Sequence, residues 1–117
     1  MKDSKRIVIY ETKTGSRPFS KWLKKLKSQK AVNRIRKRIL NAAEGYLGDH
    51  RNLPGGLIEL RFAAGWRVYL ADFDYVCIIL LLCGGDKNTK KEQQADIEQA
   101  YSYLNDFMDG GLYEKNK

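Results

Sequence analysis

Hydrophobic positions change period along this chain, and the changes mark out its elements. Ile7, Val8, Ile9 and Tyr10 make a short β-rich opening strand. After "TGSRP", Phe19, Trp22, Leu23 and Leu26 recur at helix spacing, with Pro18 suited to a first turn. Val32, Ile35, Ile39, Ala43, Tyr46 and Leu47 predict a second, longer helix, whose other face carries Lys30, Arg34, Lys37 and Arg38. The join near Ser28 to Lys30 is short enough for a helical hairpin.

The middle of the chain then moves from period 3.6 to period 2. In "LIELRF", Ile58, Leu60 and Phe62 face one way and Glu59 and Arg61 the other. In "GWRVYLA", Trp66, Val68 and Leu70 alternate with Arg67 and Tyr69. Ala63-Ala64-Gly65 reads as a three-residue hairpin loop with Gly65 in a left-handed position. Pairing Phe62 with Trp66 sets Arg61 opposite Arg67 and Glu59 opposite Tyr69, all four on the face away from Leu60 and Val68. "YVCIILLLC" is apolar on both faces and predicts a central strand. Gly84-Gly85-Asp86-Lys87 leads from it into a capping box, Thr89 to Glu92. The last helix presents Ile97, Ala100, Tyr101, Leu104 and Met108 on one face, and Gly110 ends it. The predicted order is β-α-α-β-β-β-α, an α+β domain over residues 1–111 with helices on one face of a largely antiparallel sheet. The other face is expected to be partly polar and strongly positive, and residues 112–117 to be a polar tail.

Charge adds a preference for partners. Twenty-two Lys and Arg against fourteen Asp and Glu give a formal net charge of +8 over 117 residues, which favours nucleic acid, an acidic protein or an anionic surface. The chain lacks a strongly amphipathic free helix, which counts against a membrane surface, and no run approaches the ~18 apolar residues that span a bilayer. The start, "MKDSKRIVIY", turns apolar too briefly for a signal peptide. Cys77 and Cys83, read as buried in one strand, would stand roughly 20 Å apart at ~3.3 Å per residue, beyond the reach of a disulfide. Reduced, buried cysteines suit a cytoplasmic protein.

Chemistry converges on few residues. Two arginines directly opposite each other on a sheet repel, so something must compensate. Glu59 can, as a surface network without function, or the pair can hold a phosphate, since guanidiniums offer forked donors to anionic oxygens. Tyr69, on the same face, is placed to stack on a base or to donate a hydrogen bond. Lys87, with Lys90 and Lys91 in the first turn of the last helix, adds positive charge beside exposed backbone N–H groups. For Lys90 and Lys91 a solvated charge run is the plain alternative. His50 is the lone histidine, so a two-histidine acid–base mechanism is excluded, and no His/Asp/Glu cluster has metal-ligand spacing. The chain has no Walker loop, no Gly-rich dinucleotide turn and no serine nucleophile elbow, which sets ordinary cofactor enzymes aside.

Four strings occur in order: "PFSKWLKKL", "LPGGLIELRF", "WRVYL" and "ILLLCGGDKNTKKEQQADIEQA". Together, from about Val8 to Phe107, they resemble the RelE/ParE toxin superfamily, nearest its phage-derived, HigB-like addiction module killer branch. The resemblance implies a RelE-like fold and the toxin of a type II toxin–antitoxin system. Such a toxin is a ribosome-dependent mRNA endonuclease that inhibits translation, works without metal or cofactor, and is held inactive by a cognate antitoxin, commonly one with a helix-turn-helix domain. By the family motif, Arg61 is the arginine of "ELR", and Arg67 the arginine after an aromatic that is Trp66 here in place of the usual tyrosine. Lys87 is the lysine of "GGDK". These three, with Tyr69, form the expected catalytic set. Lys90, Lys91, Arg51 and Lys37 are the expected further contacts to nucleic acid, and Tyr113 a contact to the antitoxin. Two other readings stay open: a gyrase-inhibiting toxin of the same superfamily, and a non-catalytic basic binding module.

Overall fold

A computed structural model describes residues 4–86 and 89–110. The elements are β1 (Arg6–Ile9), α1 (Pro18–Lys25), α2 (Gln29–Ala43), β2 (His50–Leu53), β3 (Leu57–Arg61), β4 (Arg67–Phe73), β5 (Ile78–Gly85) and α3 (Lys90–Gly110). One five-stranded sheet runs β1-β5-β4-β3-β2. β1 lies parallel to β5, and the other neighbours are antiparallel. The class is α+β, with a mixed sheet.

Local chemistry sets most boundaries. Ser28 caps α2 by accepting from the Ala31 N–H at 3.2 Å, and Thr89 caps α3 by accepting from the Glu92 N–H at 3.2 Å. The hairpin is as the alternation predicts: Arg61 pairs with Arg67 and Glu59 with Tyr69. Gly65 takes a φ of +101°, open to glycine without steric cost.

Four expectations need correction. α2 ends at Ala43 and not at Leu47, because Gly45 turns the chain at a φ of +98°; Tyr46, read as part of the apolar face, is exposed. The segment after it, read as loop, contains the fourth antiparallel-paired strand, β2. Its residues, His50-Arg51-Asn52-Leu53, show no apolar alternation because β2 is an edge strand with exposed Arg51 and Asn52. Cys77 is not in β5; it precedes it with a left-handed φ of 56° and is exposed, while Cys83 is buried in the strand.

The fourth correction bears on function. α1 and α2 cover one face, where Phe19, Leu23, Ile35 and Ile39 pack on Leu60, Val68, Leu70, Ile79 and Leu81. The helices do not all lie there. α3 covers the opposite face, where Ile97, Ala100 and Leu104 pack on Leu57, Ala71, Phe73, Leu80 and Leu82. β4 and β5 are apolar on both sides, and burial of that second apolar layer requires a cover. Of the helical positions expected to face the sheet, Met108 remains largely exposed. On that second sheet face, the polar and charged side chains Arg51, Glu59, Arg61 and Arg67 stand at the margin near the start of α3.

One contact joins α1 to that margin. The Trp22 indole lies against the Gly84 backbone, where a Cβ would fall inside the ring, and its Nε1–H donates to Asp86 Oδ1 at 3.2 Å. Gly84→Ala is expected to lower the unfolding free energy by about 1–3 kcal/mol through overpacking. Combining it with Trp22→Leu should recover part of the loss in denaturant titrations. A fully additive double variant would refute the contact's role.

Candidate functional site

The site is built on one row of the sheet and the row beside it. Arg51, Glu59, Tyr69 and Cys83 stand side by side across β2, β3, β4 and β5. Arg61 and Arg67 occupy the next row, opposite Gly85. Side chains paired across strands share a face, so Arg51, Arg61 and Arg67 all surround Glu59.

Glu59 is the one buried charged residue among those described, with no exposed surface. Its Oε1 accepts from Arg61 Nε at 3.0 Å and lies 3.5 Å from Arg51 Nε. Its Oε2 accepts from the Tyr69 hydroxyl at 2.9 Å and from Gln93 Nε2 at 3.0 Å, and lies 4.0 Å from Arg67 Nε. Burial alone would raise the Glu59 pKa. Hydrogen bonds from Gln93, Arg61 and Tyr69 and the field of Arg51 outweigh it and hold the carboxyl below its ordinary value. Arg67 also reaches the Asp86 carbonyl at 3.4 Å.

Glu59 is shared among three guanidiniums, and Asp96 stands beside Gly85 at the same margin. The side chains of Arg51 and Arg61 each remain 42% exposed, so their outer edges face solvent while their Nε atoms are turned inward. This arrangement presents forked donors to an anion from a fixed base. Among the described residues, no group of three or more His, Cys, Asp or Glu side chains is placed to hold a metal ion.

With this geometry in hand, a relative is informative. An uncharacterized protein of Haemophilus influenzae is 43% identical over 84 residues, a match that takes in 70% of this chain and 81% of the relative. The chain belongs to the family of that Haemophilus protein. No family model matches it.

In this member of the family, the residues singled out in the sequence separate into groups. Arg61, Arg67 and Arg51 are brought together. Lys87 lies outside the described residues. Lys90 and Lys91 are exposed in the first turn of α3. Lys37 is on the exposed side of α2, the helix that packs on the opposite face of the sheet, and does not join the cluster.

Tyr69 is corrected. It is fully buried, so it has no face on which a base could stack. Burial and the adjacent Glu59 carboxylate push its phenol far above the ordinary tyrosine value, which disfavours loss of its proton near neutral pH. It acts instead on Glu59, as a donor that holds the carboxylate. His50 pairs with Leu60, on the sheet face covered by α1 and α2, and sets Nδ1 2.7 Å from the Gly48 carbonyl, facing away from the arginines.

Glu59 and Gln93 are the residues whose part was understated or missed. Glu59 was legible as a compensating charge, but its burial depends on α3 crossing that face. Gln93 stands one turn into α3, four residues after the capping threonine, and only the packing of that helix carries it to Glu59.

Proposed function

We propose that the chain is the toxin of a type II toxin–antitoxin system, a RelE-like, ribosome-dependent endonuclease that cuts mRNA in the cytoplasm. The convergence of Arg51, Arg61 and Arg67 on the buried Glu59 carries this reading. The four strings that resemble the RelE/ParE superfamily supply the identity of the anion, which charge alone leaves open.

RNA brings its own nucleophile. The 2′-hydroxyl attacks the adjacent phosphorus, a P–O bond forms to the 2′ oxygen, and the bond to the 5′ oxygen breaks. The products are a cyclic phosphate and a free 5′-hydroxyl. The protein has to align the attack and stabilise charge that develops on the phosphorane. Arg61 and Arg67 fit the second task, with Arg51 beside them, and Glu59, Tyr69 and Gln93 fix their inner edges. By the resemblance, Lys87 adds a cation that binds the phosphate or helps the leaving oxygen. A site so equipped is slow on free RNA, and dependence on the ribosome to bend the message follows from that.

An antitoxin partner with an acidic segment suits the +8 charge. Induction of the protein, followed by primer-extension mapping, tests the whole reading. New message ends that depend on ongoing translation are expected. Intact messages accompanied by DNA breakage would replace the nuclease with a gyrase inhibitor. Undisturbed growth would leave a non-catalytic binding module.

A further inference from the structure

A concavity opens on the side of the β3–β4 hairpin opposite the arginine cluster. It encloses about 350 Å³ between the polar side of α2 and the hairpin end, and Arg34, Lys37, Asn41, Phe62 and Trp66 are among the residues lining it. Alternation explains the change of side: Phe62 and Trp66 flank Arg61 and Arg67 in sequence and project the other way.

The floor of this cleft is fixed by Arg38. Its guanidinium lies 4.6 Å from the Phe62 ring centroid and donates to the carbonyls of Arg61, Leu47 and Asp49 at 2.9, 3.0 and 2.9 Å. Its Nε is buried and has no acceptor among the described residues. Above this floor stand the partly buried Trp66 indole, the exposed carboxamide of Asn41, and the exposed cations Arg34 and Lys37. A simple anion would use only the cations, and an apolar ligand only the rings. A nucleotide with an unpaired base uses every group. Its π-face suits the indole, its edge suits an amide that both donates and accepts, and its phosphate suits the two cations.

We propose that this cleft binds one unpaired nucleotide of single-stranded RNA, with the base on Trp66 beside Asn41 and the phosphate between Arg34 and Lys37. The choice of RNA rests on the proposed function. Arg38 connects the two places physically, since it holds the Arg61 carbonyl from the cleft side while the Arg61 side chain serves the arginine cluster. A strand crossing the hairpin tip meets both.

The test is fluorescence anisotropy of the full chain with a labelled single-stranded hexaribonucleotide carrying 2′-O-methyl groups, which removes the internal nucleophile. Trp66→Ala should weaken binding about ten-fold, the size of one lost base–aromatic stack, and Trp66→Phe should retain most of the affinity. Lys37→Glu, at an exposed position that leaves the fold untouched, should weaken binding and flatten its salt dependence. Unchanged affinity in both Trp66→Ala and Lys37→Glu overturns the proposal. So does the finding that these variants lose a poly-glutamate peptide but keep the RNA, which would assign the cleft to an acidic protein. Because this probe cannot be cut, the two readings fail separately. Trp66-dependent binding without message cleavage in cells sinks the nuclease alone, and cleavage with Trp66-independent binding sinks the cleft alone.

Discussion

Glu59→Ala is expected to lower the unfolding free energy by about 3–5 kcal/mol, the cost typical of removing one partner from a buried charge cluster. The substitution leaves the Tyr69 hydroxyl without its acceptor inside the sheet–α3 core and leaves three guanidiniums without the carboxylate that separates them. Glu59→Gln keeps the shape and one carbonyl acceptor, and a smaller loss, about 1–3 kcal/mol, follows from the missing charge. Urea titrations of the two variants measure both values. Equal stability of Glu59→Ala and wild type would mean that Glu59 does not organise this margin.

The same residue sets an acid limb. The folded-state pKa of Glu59 is depressed, so its contribution is fully present above the unfolded value of roughly 4.3 and is lost as pH falls through the lower folded value. Wild type should therefore lose stability on acidification below about pH 4.3, and Glu59→Gln should lose less over the same window. Cys83 lies in the same row, but burial and the nearby Asp96 push its thiol up to about 12. It stays neutral across that range, and a thiol-directed reagent should find the exposed Cys77 first.

How far the site was legible follows from which interactions are local. The Arg61–Arg67 pairing needed only strand alternation and a three-residue loop, and both are written in nearest neighbours. Caps at Ser28 and Thr89 are local as well. The cover provided by α3 is not. A stripe of Ile97, Ala100 and Leu104 says that a helix packs on something, and only the two-sided apolar character of β4 and β5 says that a second sheet face needs packing. Taken together those two facts point to helices on both faces, and that inference was open to sequence reasoning. Burial of Tyr69 and Glu59 follows from it. The edge strand β2 was harder, since Arg51 and Asn52 face solvent and leave no apolar period to read. The Arg38 contacts to three carbonyls are beyond sequence reasoning, because they depend on how α2 is set against the end of β3.

If the chain is the nuclease proposed above, Arg61→Ala and Arg67→Ala should each slow message cleavage about 10²–10³-fold, the range for loss of one donor to transition-state charge. The effect should appear in the cleavage rate in a translating extract and not in the fold. Arg61 is a half-exposed partner of Glu59 and its removal still leaves Arg51, Arg67, Tyr69 and Gln93 around the carboxylate. The stability cost for Arg61→Ala should be about 1–3 kcal/mol, since the buried Glu59 carboxylate loses one of its hydrogen bonds. Arg61→Lys separates charge from geometry. A lysine restores a positive charge but not a fork that can engage Glu59 through Nε while offering its outer edge to phosphate. Partial recovery of RNA binding with little recovery of cleavage is therefore expected. Full recovery by lysine would show that bulk positive potential is sufficient and that the fixed orientation given by Glu59 has no part in the chemistry. Full activity in both alanine variants would remove the arginine cluster from the mechanism altogether. Because Glu59→Gln weakens the hold on the arginines without deleting any of them, it should also slow cleavage, and by less than either alanine substitution. That ordering in activity separates a positioning carboxylate from the groups proposed to touch the phosphate.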